Sequence, residues 1–124
     1  MEINLKDDLR LVQNVRRNAY VQNGEITVGA VVQTKSGRKY TGCNIQINDL
    51  EIIDAEQVAF TKAISEGEKE FDYMVIMGGK KDCEPEKYLP CKTCREMMSC
   101  FVDEDFKIYI VYQNKIEEYL FSQV

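Results

Sequence analysis

The chain has 124 residues, 44% hydrophobic and 30% charged, with a net charge of −5; that length predicts one domain, residues 1–124, able to bury its own core. The acidic balance argues against a nucleic-acid polymer or an anionic membrane surface as partner, because both attract basic faces. No apolar run reaches the roughly 18–20 residues that span a bilayer, and Met1-Glu2-Ile3-Asn4 lacks the basic-then-apolar pattern of a signal peptide, so a cytoplasmic protein without a membrane partner is expected.

Leu5, Leu9, Val12, Val15 and Ala19 recur at steps of three and four and predict an amphipathic helix over 5–22, stopped by Asn23-Gly24. Thr27–Thr34, a β-branched run, predicts a buried strand; Ser36-Gly37 predicts a turn, and 38–46 the returning strand of a hairpin. A loop to Ile53 follows. Residues 54–66 predict a second helix closed by Gly67. Tyr73–Gly78 is nearly all apolar, as in a strand covered on both faces. A charged loop over 79–89 leads through Pro90 into a third helix over 91–101. Lys107–Tyr112 predicts another strand, and Gln113-Asn114 turns into a short last element. Strands alternating with helices predict an α/β fold, a three-layer α/β/α sandwich around a mixed sheet.

Five cysteines and no histidine, with no sign of secretion, read as thiols or metal ligands rather than a disulfide frame. Cys43, Cys83 and Cys100 are well separated and read as small buried hydrophobes or plain surface thiols. Cys91 and Cys94 stand three apart at a helix start, so their side chains share a face. Taken alone, the pair is open to a metal, a redox couple or coincidence. Asp54 and Glu56 likewise suit plain capping and dipole complementarity at the start of the second helix. Set beside the cysteines they suggest more. A catalytic zinc takes three protein ligands and keeps one position open, and hydrolysis there wants a carboxylate that is not a ligand. Asp54, Cys91 and Cys94 supply three donors, and Glu56 the free carboxylate.

Four blocks in order, V-G-A-V-V, Y-T-G-C-N, A-E-Q-V-A-F-T-K-A-I-S-E-G and P-C-K-T-C-R, resemble the small zinc-dependent cytidine deaminases and the similar blasticidin S deaminases. The resemblance implies a Zn2+ cofactor and hydrolytic removal of the exocyclic amine from a cytosine nucleoside (cytidine or deoxycytidine) or an analogue such as blasticidin S. It assigns Cys91, Cys94 and Asp54 as zinc ligands, and Glu56 as the proton shuttle. Asp54 departs from the family, which carries Cys or His there. Asn44 maps to a sugar-contacting Asn. Gln46 stands where cytidine deaminases place an acid, and Gln57 where an arginine often follows the catalytic glutamate. Backbone groups at the helix starts, Ala55 among them, would position the base. A homotetramer with sites built from neighbouring subunits is also implied, with Tyr112, Tyr119 and Phe121 serving either that assembly or the core. Two other readings stand beside this one. One is a degenerate deaminase fold that binds a nucleoside or a partner protein without turnover, favoured by Asp54 and Gln46 and opposed by Glu56. The other is a redox pair, or a structural zinc completed by Cys83 or Cys100.

Overall fold

The structure, a computed structural model, describes residues 5–22 and 25–124. Helix α1 spans Leu5–Arg16, with Asp7 and Asp8 in its first turn and Arg16 in its last, charges that suit the two ends of the helix dipole. The helix stops short of the expected Gln22 because the following backbone is used elsewhere. Tyr20 N–H donates to the Asn44 carbonyl at 3.0 Å, and the Tyr20 carbonyl accepts from Gln46 N–H at 2.7 Å. The Asn23-Gly24 stop signal lies outside the described residues. The Arg16 guanidinium donates to the carbonyls of Thr27 (3.2 Å), Lys80 (3.0 Å) and Cys83 (3.1 Å), tying the end of α1 to three later segments.

Strand β1 (Ile26–Thr34) turns through Ser36-Gly37 into β2 (Lys39–Cys43). The returning strand is shorter than the sequence suggests. It breaks at Asn44, whose side chain takes over the pairing: Oδ1 accepts Val28 N–H and Nδ2 donates to the Ile26 carbonyl, both at 2.8 Å. Ile45–Gln46 then forms β3, paired antiparallel with β4 (Ile52–Ile53) in a separate two-stranded sheet. The segment expected to be a loop thus contains a strand that ends next to Asp54.

Helix α2 (Ala55–Ser65) has Asp54 as N-cap, and Gly67 leaves it at φ 92°, a left-handed conformation suited to glycine. Strand β5 (Phe71–Lys80) leads to α3 (Lys92–Met98), which starts from Cys91 as N-cap and ends before the expected Phe101. Strand β6 (Lys107–Tyr112) turns tightly at Gln113 and Asn114, with φ 48° and 61°, into β7 (Lys115–Leu120). Two consecutive positive φ values are what a two-residue hairpin requires, and Asn tolerates them.

The main sheet runs β2-β1-β5-β6-β7. β1 is antiparallel to both β2 and β5, β5 is parallel to β6, and β7 is antiparallel to β6. The sheet is mixed, as expected. Since β2 and β5 both oppose β1, they run the same way, and α2 crosses over β1 between them. Each helix covers one face. α2 and α3 pack on Val28, Ala30, Val32, Met74, Ile76, Ile108 and Ile110. α1 packs on Val31, Tyr73, Val75, Met77, Tyr109 and Val111. That is the three-layer α/β/α arrangement. Both α2 and α3 begin beyond the carboxyl ends of strands running in one direction, the end of an α/β sheet where ligands bind.

Candidate metal centre and active site

Close packing places the start of α2. A Cβ on Gly42 would press on the Ala55 carbonyl and lie 2.6 Å from the Ala59 nitrogen, so only glycine lets the helix rest directly on β2. Ala55 is fully buried there. Gln57 steadies the cap, its Oε1 accepting Asp54 N–H at 2.9 Å. The Asp54 carboxylate is turned toward α3. Its Oδ2 accepts from the thiols of Cys91 at 3.4 Å and Cys94 at 3.2 Å, and the two sulfurs stand 3.5 Å apart. Residues 37 and 40 apart in sequence thus meet across two helix starts.

These three side chains bring their donor atoms within 4.8 Å of one another. A tetrahedral zinc with bonds of about 2.0–2.3 Å spaces its donors by roughly 3.5 Å, close to what the three side chains present. Cys83 and Cys100 are exposed and lie outside the group; Cys100 donates instead to the Glu96 carbonyl at 3.7 Å. These cysteines supply no fourth ligand among the described residues, so a zinc ion held by Asp54, Cys91 and Cys94 would keep one position for a small molecule.

Glu56 supplies the decisive detail. It is 1% exposed, and neither carboxyl oxygen has a hydrogen-bond partner among the described residues. Burial pushes its pKa up to about 7 and the Asp54 charge adds to the rise; its own backbone N–H and the Cys94 thiol, near the carboxyl but short of hydrogen-bond geometry, pull the other way. An orphaned buried carboxyl costs about 1–3 kcal/mol or more, a cost removed when a polar ligand and a cation sit beside it. The donor set and the orphaned carboxyl both fit a zinc ion. Cys94 is fully buried, and burial first, then Glu56 and Asp54, raises its thiol pKa, a strain that a bound cation would relieve.

Asn44 is 7% exposed and, as described, has both side-chain atoms on β1. Gln46 is half-buried, its Oε1 accepting Gln22 N–H at 3.3 Å. In the tail, Tyr112 is buried with its hydroxyl on Glu117, while Tyr119 and Phe121 pack against the α2–α3 core. Sequence reasoning overlooked Tyr88. Its side chain packs against Gly78, with the ring Cγ 2.9 Å from where a Cβ would stand. Burial raises its phenol pKa, and the nearby charges of Glu56 and Asp54 raise it further. The one signal was its place three residues before Cys91, hidden in a charged loop.

Fold and centre together give a domain that can hold a metal ion beside a buried carboxyl. The chain belongs to the cytidine and deoxycytidylate deaminase family: the family model for the zinc-binding region of those enzymes matches residues 4–110. A cytidine deaminase of Halalkalibacterium halodurans is 31% identical over 111 residues, covering 88% of this chain and 81% of that protein. A cytidine deaminase of Sporosarcina psychrophila is 29% identical over 108 residues, 86% and 76% of the two chains. A blasticidin-S deaminase of Bacillus cereus is 27% identical over 108 residues, 82% and 77%. The fold also matches the cytidine deaminase structure from Burkholderia pseudomallei with a TM-score of 0.82 at 21% identity, covering 97% and 94% of the two chains.

Proposed function

We propose that the chain removes the exocyclic amine of a cytosine nucleoside or of a cytosine-containing analogue by hydrolysis, with cytidine, deoxycytidine and blasticidin S as the first substrates to try. The carrying observation is the orphaned Glu56 carboxyl beside the Asp54–Cys91–Cys94 group. Asp54, Cys91 and Cys94 hold the zinc. When bound, zinc supplies the Lewis-acid activation that makes water a nucleophile near neutral pH. Glu56 does the proton work. A carboxyl with a pKa raised to about 7 can take a proton from the attacking water and give it to the ring nitrogen beside the amine-bearing carbon, then take the second proton of that oxygen and give it to the departing amine as the C–N bond breaks. Its burial keeps bulk water from competing for that proton. The start of α2, with Ala55 as its first residue, presents backbone groups toward the base. The Gln46 amide is available to a polar group on the sugar, and Asn44 acts by setting the strand end that carries it.

Three anionic donors leave the metal site with a formal charge of −1, which the N-terminus of α2 partly offsets. The reading of a fold that only binds loses force, because a pure binder has no use for a buried, unpaired carboxyl aimed at its metal. We further infer a homotetramer in the cytoplasm. Leu50 is 94% exposed, and Ile47 and Ile52 are over half exposed, so apolar surface around β3–β4 is left for another subunit. No described helix is long and apolar enough to cross a membrane.

The test is ammonia release from cytidine, deoxycytidine and blasticidin S by metal-verified protein. Glu56→Gln should lower the rate by about 10²–10⁴-fold while zinc content is retained. No ammonia from any cytosine compound would overturn the reading.

A further inference from the structure

We propose that Cys91 and Cys94 form a thiol–disulfide couple as well as a metal-binding pair, so that oxidation closes a disulfide and strips zinc of two of its three protein donors. The inference rests on the metal-site reading above and adds a redox control to it.

The geometry is that of a pair ready to close. The two sulfurs are already in contact at 3.5 Å, and a disulfide bond of about 2.05 Å needs them to approach by roughly 1.5 Å more. Cys91 supplies that movement. It is exposed and stands outside the helix as N-cap, with extended backbone at φ −74°, ψ 172°. Cys94 is buried within the first turn of α3. The Asp54 Oδ2 accepts from both thiols and so holds them side by side when no cation does.

The difference in exposure sets the order of events. A low-molecular-weight disulfide such as oxidised glutathione can reach Cys91 and cannot reach Cys94. The Cys91 sulfur attacks one sulfur of the small disulfide, whose S–S bond breaks and whose other half leaves as a thiol. The Cys94 thiol then gives up its proton as its sulfur attacks the Cys91 side of the mixed disulfide, that S–S bond breaks, and the second small thiol leaves carrying the proton. Two protein thiols are oxidised and one small disulfide is reduced to two thiols. Asp54 shapes the outcome. A site with three thiols has three possible pairings; a carboxylate cannot be oxidised in this way, so here there is one. Cys83 and Cys100 are exposed and contact no other cysteine among the described residues, and they do not compete.

The experiment uses the full chain carrying Cys83→Ser and Cys100→Ser, which clears the exposed thiols away from the site. Zinc-free protein is treated with oxidised glutathione and read by intact mass and peptide mapping. The expected product is lighter by two hydrogens, carries no glutathione on Cys91 or Cys94, and reverts with dithiothreitol. Adding Cys94→Ser should trap one glutathione on Cys91; adding Cys91→Ser should leave Cys94 unmodified. A glutathione adduct that persists on Cys91 while Cys94 is present, or no reaction at Cys91, overturns the proposal. In zinc-loaded protein the bound zinc should pass to a chromogenic chelator in step with disulfide formation, and more slowly than zinc-free protein reacts. Equal rates with and without zinc would instead sink the placement of zinc on these thiols, and with it the link between oxidation and metal loss.

Discussion

Asp54 stands where the resemblance in sequence implies Cys or His, and its carboxylate lies against both thiols of the site. Its carboxylate reaches both thiols while its backbone N–H is held by Gln57. Carboxylate oxygen is a harder donor than thiolate and suits zinc less selectively. Asp54→Cys is therefore expected to retain zinc longer against a competing chelator, and Asp54→Ala to lose it first; equal retention by all three proteins would place the metal elsewhere. Gln57 belongs to the same account. Where many relatives are expected to carry arginine, here a neutral side chain closes the helix cap. Gln57→Ala should cost about 0.5–2 kcal/mol in denaturant unfolding through the lost cap and weaken zinc retention by freeing Asp54 to turn.

Helix α2 carries the site, and two contacts decide where it lies. Phe60 is fully buried against Phe71, with ring centroids 4.7 Å apart, and near Phe106 at 6.2 Å; Phe60→Ala should destabilise the fold by about 3–5 kcal/mol, read by urea or thermal unfolding. At the other end Gly42 lies under Ala55 and Ala59. Gly42→Ala should cost about 1–3 kcal/mol by overpacking and, unlike Phe60→Ala, should also reduce zinc binding, because it lifts the cap that carries Asp54. Elements with strong periodicity and full burial were legible in the sequence: β1, α2, β5 and β6 fall where their apolar patterns place them. The misjudged ones are those whose ends are set by distant partners. α1 carries helical spacing as far as Ala19, yet its last part is claimed by pairing to β3. β2 looks continuous through Asn44, yet that side chain replaces a rung of the ladder. β4 is two exposed isoleucines with no local pattern to announce them. The meeting of Asp54, Cys91 and Cys94 was legible because donors of these types are few and chemically distinctive. Tyr88 was not, since nothing about one tyrosine in a charged loop reports what it faces.

Across the whole molecule, the two layers outside the sheet are locked in different ways. The α2–α3 side is an apolar core with the buried Glu56 carboxyl at its site end. The α1 side includes a buried ion: Asp8 is fully enclosed, accepts from the Tyr73 hydroxyl, and pairs with Lys39 at 2.7 Å. Helix α1, β2 and β5 meet in that contact. Removing one partner of a buried pair costs about 3–5 kcal/mol, so Lys39→Met should lower the unfolding midpoint well beyond an exposed lysine change such as Lys69→Met, with little effect on zinc content. The proposed assembly is tested at the same scale. Leu50→Glu should shift the particle to a smaller species in light scattering, and an unchanged mass would remove that surface from any subunit interface.

The meeting of Asp54 with Cys91 and Cys94 has a thermodynamic side as well. A cation held by all three is a cross-link between two crossover helices, closing a stretch of 37 residues much as a disulfide would. The loop entropy of the unfolded chain then opposes metal binding, and the folded state gains whatever affinity the ion has for it. By mass action, free zinc at about 100 times its dissociation constant adds roughly 2.7 kcal/mol of stability. The melting temperature should therefore climb with free zinc and fall with chelator. A preparation stripped of metal would then be a looser protein as well as an idle one.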